Sequence, residues 1–142
     1  MSIEIEISDT QAHMKVDQAV LMSLVRDVLI AEDHPVASIS IALVDNATIH
    51  RLNQLHLGHD WPTDVITFPL SDPDEPVLSG ELVVSAEMAV AIARDMGGDP
   101  REELALYLVH GLLHLCGYDD SSEADADAMS RRQSELLDKN QD

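Results

Sequence analysis

The sequence predicts an α/β (α+β) fold, a mixed sheet of about four strands with about five helices, as one domain over residues 1–142. Three observations carry this expectation. Short alternating or apolar runs are separated by segments with helical periodicity. The most apolar helical segment comes late, where it can fill the centre of a core. The chain of 142 residues is 45% hydrophobic, enough to bury a core without covalent staples.

The elements run in order along the chain. Ile3 to Ile7 reads I-E-I-E-I, the alternation of a strand with one buried face. From Asp17, a candidate N-cap, to about Glu32, the residues Val20, Leu21, Leu24, Val25, Val28 and Leu29 recur at helical spacing, and Pro35 forces a stop. Ile39 to Val44 is a second strand. Asp45 caps a short helix through Leu52 and Leu55 that ends near Gly58. Pro62 and Pro69 bracket a strand from Val65 to Leu70, and Asp72 to Pro76 is an acidic, proline-containing turn. Gly80 opens the strand ELVVSA, which runs into a helix from about Ala86 to Met96, stopped by Gly97 and Gly98. Asp99, Pro100 and Glu102 form a strong helix start, with Asp as N-cap, Pro at N1 and Glu at N3. That helix is apolar almost all round through Leu115, and Gly117 supplies its stop. A last amphipathic helix runs from about Ser122 to Leu137 through Ala126, Met129, Leu136 and Leu137. The sheet order is not legible.

Composition narrows the function classes. One cysteine, Cys116, excludes an internal disulfide framework and reads as a core residue in a reducing compartment. No apolar run approaches the roughly 18 residues of a membrane span, and the N-terminus MSIEIEISDT lacks a basic region ahead of an apolar one. A cytoplasmic protein without membrane attachment is expected. Eight basic residues against 27 acidic ones give a net charge of −19. Such a surface repels polyanions, and only four aromatic residues (Trp61, Phe68, Tyr107 and Tyr118) are present to build a base-stacking platform, so composition alone weighs against RNA, with solubility as the other reading of the acidity.

The chemistry concentrates in HGLLHLCGYDD, residues 110–120. His110 and His114, at i and i+4, share one helix face and can converge on one metal ion. Gly117 allows a sharp turn that returns Asp120 as a third ligand. The spacing H-x-x-x-H-x-x-G-x-x-D is that of a metzincin zinc helix with two changes. Asp120 stands for the third histidine, and Gly111 stands where a zinc protease carries the glutamate that acts as general base. Peptide hydrolysis by that route is therefore disfavoured. A ligand set of two histidines and a carboxylate is itself a known zinc arrangement.

HGLLHLCGYD resembles the signature H-G-x-L-H-L-x-G-Y-D-H of the YbeY family of bacterial endoribonucleases. LNQLHLGHDWPTDVITFPL is similar to that family's L-N-x-x-Y-R-G-x-D-x-P-T-D-V-L-S-F-P, and GELVVSAE to its G-D-I-x-I-S-x-E. The resemblance spans about residues 39–137 in consistent order. It implies one zinc per chain on His110, His114 and Asp120, with His110 and His114 as the catalytic centre. It also implies cleavage of single-stranded RNA in ribosomal RNA maturation and ribosome quality control. The implied partners are ribosomal RNA and the small ribosomal subunit, with ribosomal or GTPase assembly proteins beside them, and neither DNA nor a membrane.

Asp120 replaces the family's third histidine, Leu57 aligns with a family arginine and His56 with the aromatic before it, and Glu81 replaces an aspartate. His56 and His59 are the nearest candidates to contact substrate where that arginine is missing. Thr63 and Asp64 match the motif and are expected to brace the metal loop or a turn. Asp119 is expected either to orient a histidine or to cap the last helix. His13, His34 and His50 read as ordinary surface residues. A metal-stabilised ribosome-assembly or adaptor protein with little nuclease activity is the alternative, and a metalloprotease is a weaker one.

Overall fold

The computed structural model describes residues 1–141. The order is β1 (Ser2–Asp9), α1 (Gln18–Ala31), β2 (Val36–Val44), α2 (Asn46–Leu57), β3 (Val65–Pro69), β4 (Leu78–Ser85), α3 (Ala86–Met96), α4 (Pro100–Leu115) and α5 (Glu123–Gln141). The four strands form one mixed sheet in the order β1-β2-β4-β3. β1, β2 and β4 are parallel, and β3 closes one edge antiparallel to β4. The expected α/β class, with its mixed sheet of four strands and its five helices, is what the chain forms.

Register explains which residues meet. Ile5, Ile39 and Gly80 lie in one row across the sheet, and Ile7, Ile41 and Leu82 in the next but one. Because strand side chains alternate, these rows share one face. Helices α1, α3, α4 and α5 contribute Leu24, Val28, Ala89, Leu108, Leu112, Met129 and Leu136 to the core packed there. The opposite face is covered only in part: α2 brings Ile49 against Val44, Ile66 and Val83, while Glu4, Glu6, Ser38 and Glu81 stay in water.

The starts of β2 and β4 differ from the sequence reading, each through pairing. β2 begins at Val36, directly after Pro35, because Ser2 and Ile3 of β1 pair with Val36 and Ala37. β4 begins at Leu78, ahead of Gly80, because Leu78 and Ser79 pair with Ala37 and Ser38. A tertiary ladder recruits these residues although their own pattern is weak. α5 also continues past Leu137 to Gln141. Val20, counted in the apolar stripe of α1, is 58% exposed, since Leu21, Leu24, Val25, Val28 and Leu29 already fill the contact with the core.

Helix ends are set as the caps require. The carboxylates of Asp17, Asp45 and Asp99 and the hydroxyl of Ser85 each accept a first-turn backbone N–H. Among the described residues no helix is long and apolar enough to cross a membrane.

A polar clamp ties α1 to α5 and to the turn after α4. Arg132 of α5 donates from Nε to Glu32 Oε1 at 2.6 Å, and Tyr118 donates its hydroxyl to Glu32 Oε2 at 3.1 Å. Glu32 follows α1 directly and its side chain is only 11% exposed. The bond to Glu32 holds the guanidinium of Arg132 above its usual range, and burial pushes the Tyr118 phenol up. One carboxylate thus joins α1, α5 and the turn after α4.

Glu32→Ala leaves two donors without their acceptor and should cost about 1–3 kcal/mol of stability in urea unfolding. An unchanged midpoint would mean the clamp is only a solvated surface pair. At Gly80 an added Cβ would stand 2.5 Å from Leu115 Cδ2 and 2.8 Å from Cδ1. Gly80→Ala should therefore lower stability by about 1–3 kcal/mol through overpacking in the same measurement.

Candidate metal centre

The helix that carries the histidines is the most buried of the five. Leu104, Tyr107, Leu108, Val109, Leu112, Leu113 and Leu115 of α4 are all buried. His110 and His114 lie on its remaining edge and are only partly covered. Gly111, next to His110, points into the sheet: an added Cβ would lie 2.8 Å from Leu82 Cδ2 and 3.2 Å from Val65 Cγ2. The position a zinc protease uses for its general base is here the close contact between helix and sheet.

The end of α4 brings the third ligand round. Gly117 takes φ of +101°, its N–H donates to His114 O, and the Tyr118 N–H donates to Leu113 O, both at 3.0 Å. This is a Schellman closure, and the left-handed glycine is what it needs. Pro73 of the acidic 72–76 turn packs over Gly117, 3.3 Å from where a Cβ would be. After the turn, Asp120 Oδ2 stands 3.7 Å from His114 Nε2. His110, His114 and Asp120 each offer a ligand atom, all within 4.8 Å of one another, so they could hold one metal ion.

The hydrogen bonds at the far side of each ring decide what the near side can do. His110 Nδ1 lies 2.9 Å from Gln133 Oε1 of α5, and His114 Nδ1 lies 3.1 Å from the Tyr118 carbonyl oxygen. Both partners are acceptors, so each Nδ1 carries the proton. The two Nε2 atoms then face each other at 3.2 Å, a separation that a shared proton or a metal ion between them satisfies, and the Asp120 carboxylate adds a negative group beside them. The donor chemistry therefore fits a metal ion, and Gln133 and the Tyr118 carbonyl are the groups that orient its ligands.

The other expected site residues fall elsewhere. Asp119 accepts from the Ser121 backbone and hydroxyl, which lowers its pKa, so its carboxylate holds the adjoining turn. Ser122 Oγ accepts from Asp125 N at the start of α5. Thr63 donates to Asp64 Oδ1, which also accepts from Val65 N, and Asp64 O accepts from Ser85 N. This pair braces the entry to β3. His56 packs edge-on against Phe68, and His59 stacks on Trp61, both outside the three-ligand group. Leu57 is 52% exposed and brings no charge. Cys116 closes α4, and burial pushes its thiol up to about 12, leaving it inert. Sequence reasoning missed Gln133 and the Tyr118 carbonyl: one is remote in the chain, the other is backbone.

Comparisons with known proteins give the chain's family. The family described as endoribonuclease YbeY matches residues 4–141 of the chain. Endoribonuclease YbeY of Rhodopirellula baltica is 47% identical over 96 residues, 66% of this chain and 49% of its own length. Thus the chain spans about half of that relative. The Protochlamydia amoebophila protein of the same name is 40% identical over 127 residues, 88% of this chain and 85% of the relative. The solution structure of TM1509 from Thermotoga maritima is similar, with a TM-score of 0.69 and 28% identity, over 97% of this chain and 88% of that one. With the family profile running nearly end to end, over a fold that turns two histidines and an acid towards one point, the chain belongs to the endoribonuclease YbeY family.

Proposed function

We propose that the chain is a zinc-dependent endoribonuclease that cuts single-stranded RNA during ribosomal RNA maturation and ribosome quality control. The observation that carries the reading is the pair of Nε2 atoms 3.2 Å apart. Two nitrogen ligands at about 2.0–2.1 Å from a tetrahedral zinc lie roughly 3.3–3.4 Å from each other. The carboxylate of Asp120 at 3.7 Å from His114 supports the third ligand, and hence one zinc per chain.

Zinc bound there would supply Lewis acidity towards a phosphate oxygen. The protein's own part is to orient. Gln133 and the Tyr118 carbonyl fix both imidazoles, and Asp120 places a fixed negative charge beside them. Gly111 brings no base, and the tight contact with Leu82 and Val65 leaves no room for one. RNA suits a site without that base, because its own 2′-hydroxyl can act as nucleophile and phosphate oxygens can take protons. A peptide offers neither. The relatives' shared name, endoribonuclease, supports the same substrate, and the small ribosomal subunit with its assembly proteins is the setting we infer.

A second reading rests on two observations, the exposed Leu57 in place of an arginine and the net charge of −19. Here the chain would be a metal-stabilised assembly factor with little cleavage, its RNA contacts supplied by a partner.

Protein purified without chelator should hold one zinc per chain by metal analysis, and His114→Ala should lose it. Wild type without bound zinc would remove the assignment. Metal-loaded protein should cleave single-stranded ribosomal RNA at least about a hundredfold faster than His114→Ala; equal rates would leave the assembly-factor reading. Leu57→Arg should raise cleavage by about one to two decades, since a charge-stabilising group of this kind is typically worth two to three. No change would mean that this position does not face the scissile phosphate.

A further inference from the structure

We infer that the exposed indole of Trp61, backed by the ring of His59, is a seat on which an unpaired base of the RNA substrate stacks. This inference rests on the endoribonuclease reading and names a substrate contact that the metal site does not provide.

Trp61 is the chain's one tryptophan. At 55% exposure it is also the only one of the four Phe, Trp and Tyr residues left largely in water. A ring this large is usually buried unless it serves a surface contact. The exposure is not that of a loose loop. Asn53, itself 1% exposed, donates from Nδ2 to the Trp61 carbonyl at 2.9 Å. The Asn53 carbonyl accepts from His59 N at 3.3 Å, and Asp60 pairs with His50 Nε2 at 2.8 Å. Three consecutive residues are thus pinned to α2, and the ring of Pro62 restricts the backbone immediately after them. The rings of His59 and Trp61 stack with centroids 4.7 Å apart and planes 8° from parallel. A fixed, flat pair of aromatic faces is the platform on which proteins seat splayed bases of single-stranded RNA.

The platform sits on the segment that leads into β3, the strand that packs against α4. Trp61 is four residues ahead of Val65, a reach of at most about 13–14 Å along the chain. Val65 packs against Gly111, the neighbour of His110. Asp64 lies near enough to Tyr107 for its charge to act on the phenol. Tyr107 precedes His110 by three residues on the same stripe of α4.

Charge explains why stacking would be needed. From Arg51 to Arg101 the sole intervening basic residue is Arg94, so this stretch of chain brings few cations to neutralise phosphates. Stacking is indifferent to the net charge of −19. Binding that depends on it should lose little affinity with salt, because few counterions are released.

Because Trp61 is the sole tryptophan, its emission reports on the seat directly. Metal-loaded wild type titrated with a 2′-O-methyl oligoadenylate, which cannot supply the 2′-hydroxyl, should show quenching that persists at high salt. In cleavage of the matching oligoribonucleotide, Trp61→Ala should raise KM about tenfold and leave kcat within about twofold. Trp61→Phe should restore most of the loss, whereas Trp61→Leu, apolar but not aromatic, should not. Cleavage by wild type without quenching, or Trp61→Leu equal to wild type, would overturn the seat and leave the nuclease intact. Quenching without cleavage would support the seat and remove the nuclease. An oligonucleotide neither bound nor cut would overturn both, leaving Trp61 as a contact for a protein partner.

Discussion

The structure depends on how closely α4 lies against the sheet. At Gly111 and at Gly80 there is no space for even a methyl group: Leu82 and Val65 occupy one position, and Leu115 occupies the other. The two glycines lie on opposite surfaces of the same interface, one on the helix and one on β4. Leu115 fills the gap that Gly80 leaves in the row with Ile5 and Ile39. Burial along this contact stabilises the domain, since a close-packed interior gains dispersion at every filled gap. The same contact fixes the rotation of α4, which turns His110 and His114 to the edge where water and ligand can reach. Stability and site geometry therefore share one cause.

From that helix the order passes outward through hydrogen bonds. His114 is held by the carbonyl of Tyr118, which the Schellman closure at Gly117 places; His110 is held by Gln133 from the last helix. Arg132, the residue before Gln133, is clamped to Glu32, and Tyr118 binds the same carboxylate. The acceptors that set both imidazole tautomers thus hang on one acid at the end of α1. A metal bound between the Nε2 atoms would draw together α4, the turn and Asp120, so binding and the ordering of the C-terminal helix are coupled.

Much of this was legible in the sequence. The five helices and four strands are marked by periodicity and by caps such as Asp99–Pro100, and the spacing within HGLLHLCGYDD signals that His110, His114 and Asp120 come together. The hidden part depends on pairing across distance. The first residues of β2 and β4 become strands because a neighbour offers a ladder, and the order β1-β2-β4-β3 has no local signature. Gln133 acts on a histidine 23 positions earlier, and no pattern within α5 marks it. Gly111 carried two meanings of which one was readable. Its lack of a carboxylate is plain in the sequence, while its role as the point of closest helix–sheet approach appears only once Leu82 and Val65 are placed beside it. Asp119 and Asp120 are adjacent and identical in type, yet one reaches the histidines and the other holds Ser121. The difference lies in the direction of the turn.

The acidity of the chain bears on how such a site would attract its substrate. With 27 acidic and eight basic residues, the protein's long-range field repels a polyphosphate. The ligand set itself adds a carboxylate to two neutral imidazoles. A divalent ion bound by this set keeps about one net positive charge, which would be the strongest local attraction for a phosphate on this face. Affinity and chemistry would then both rest on the metal in this chain. Bases held on a neutral aromatic face, and phosphate held at one ion, are the two interactions an acidic protein can still offer to RNA.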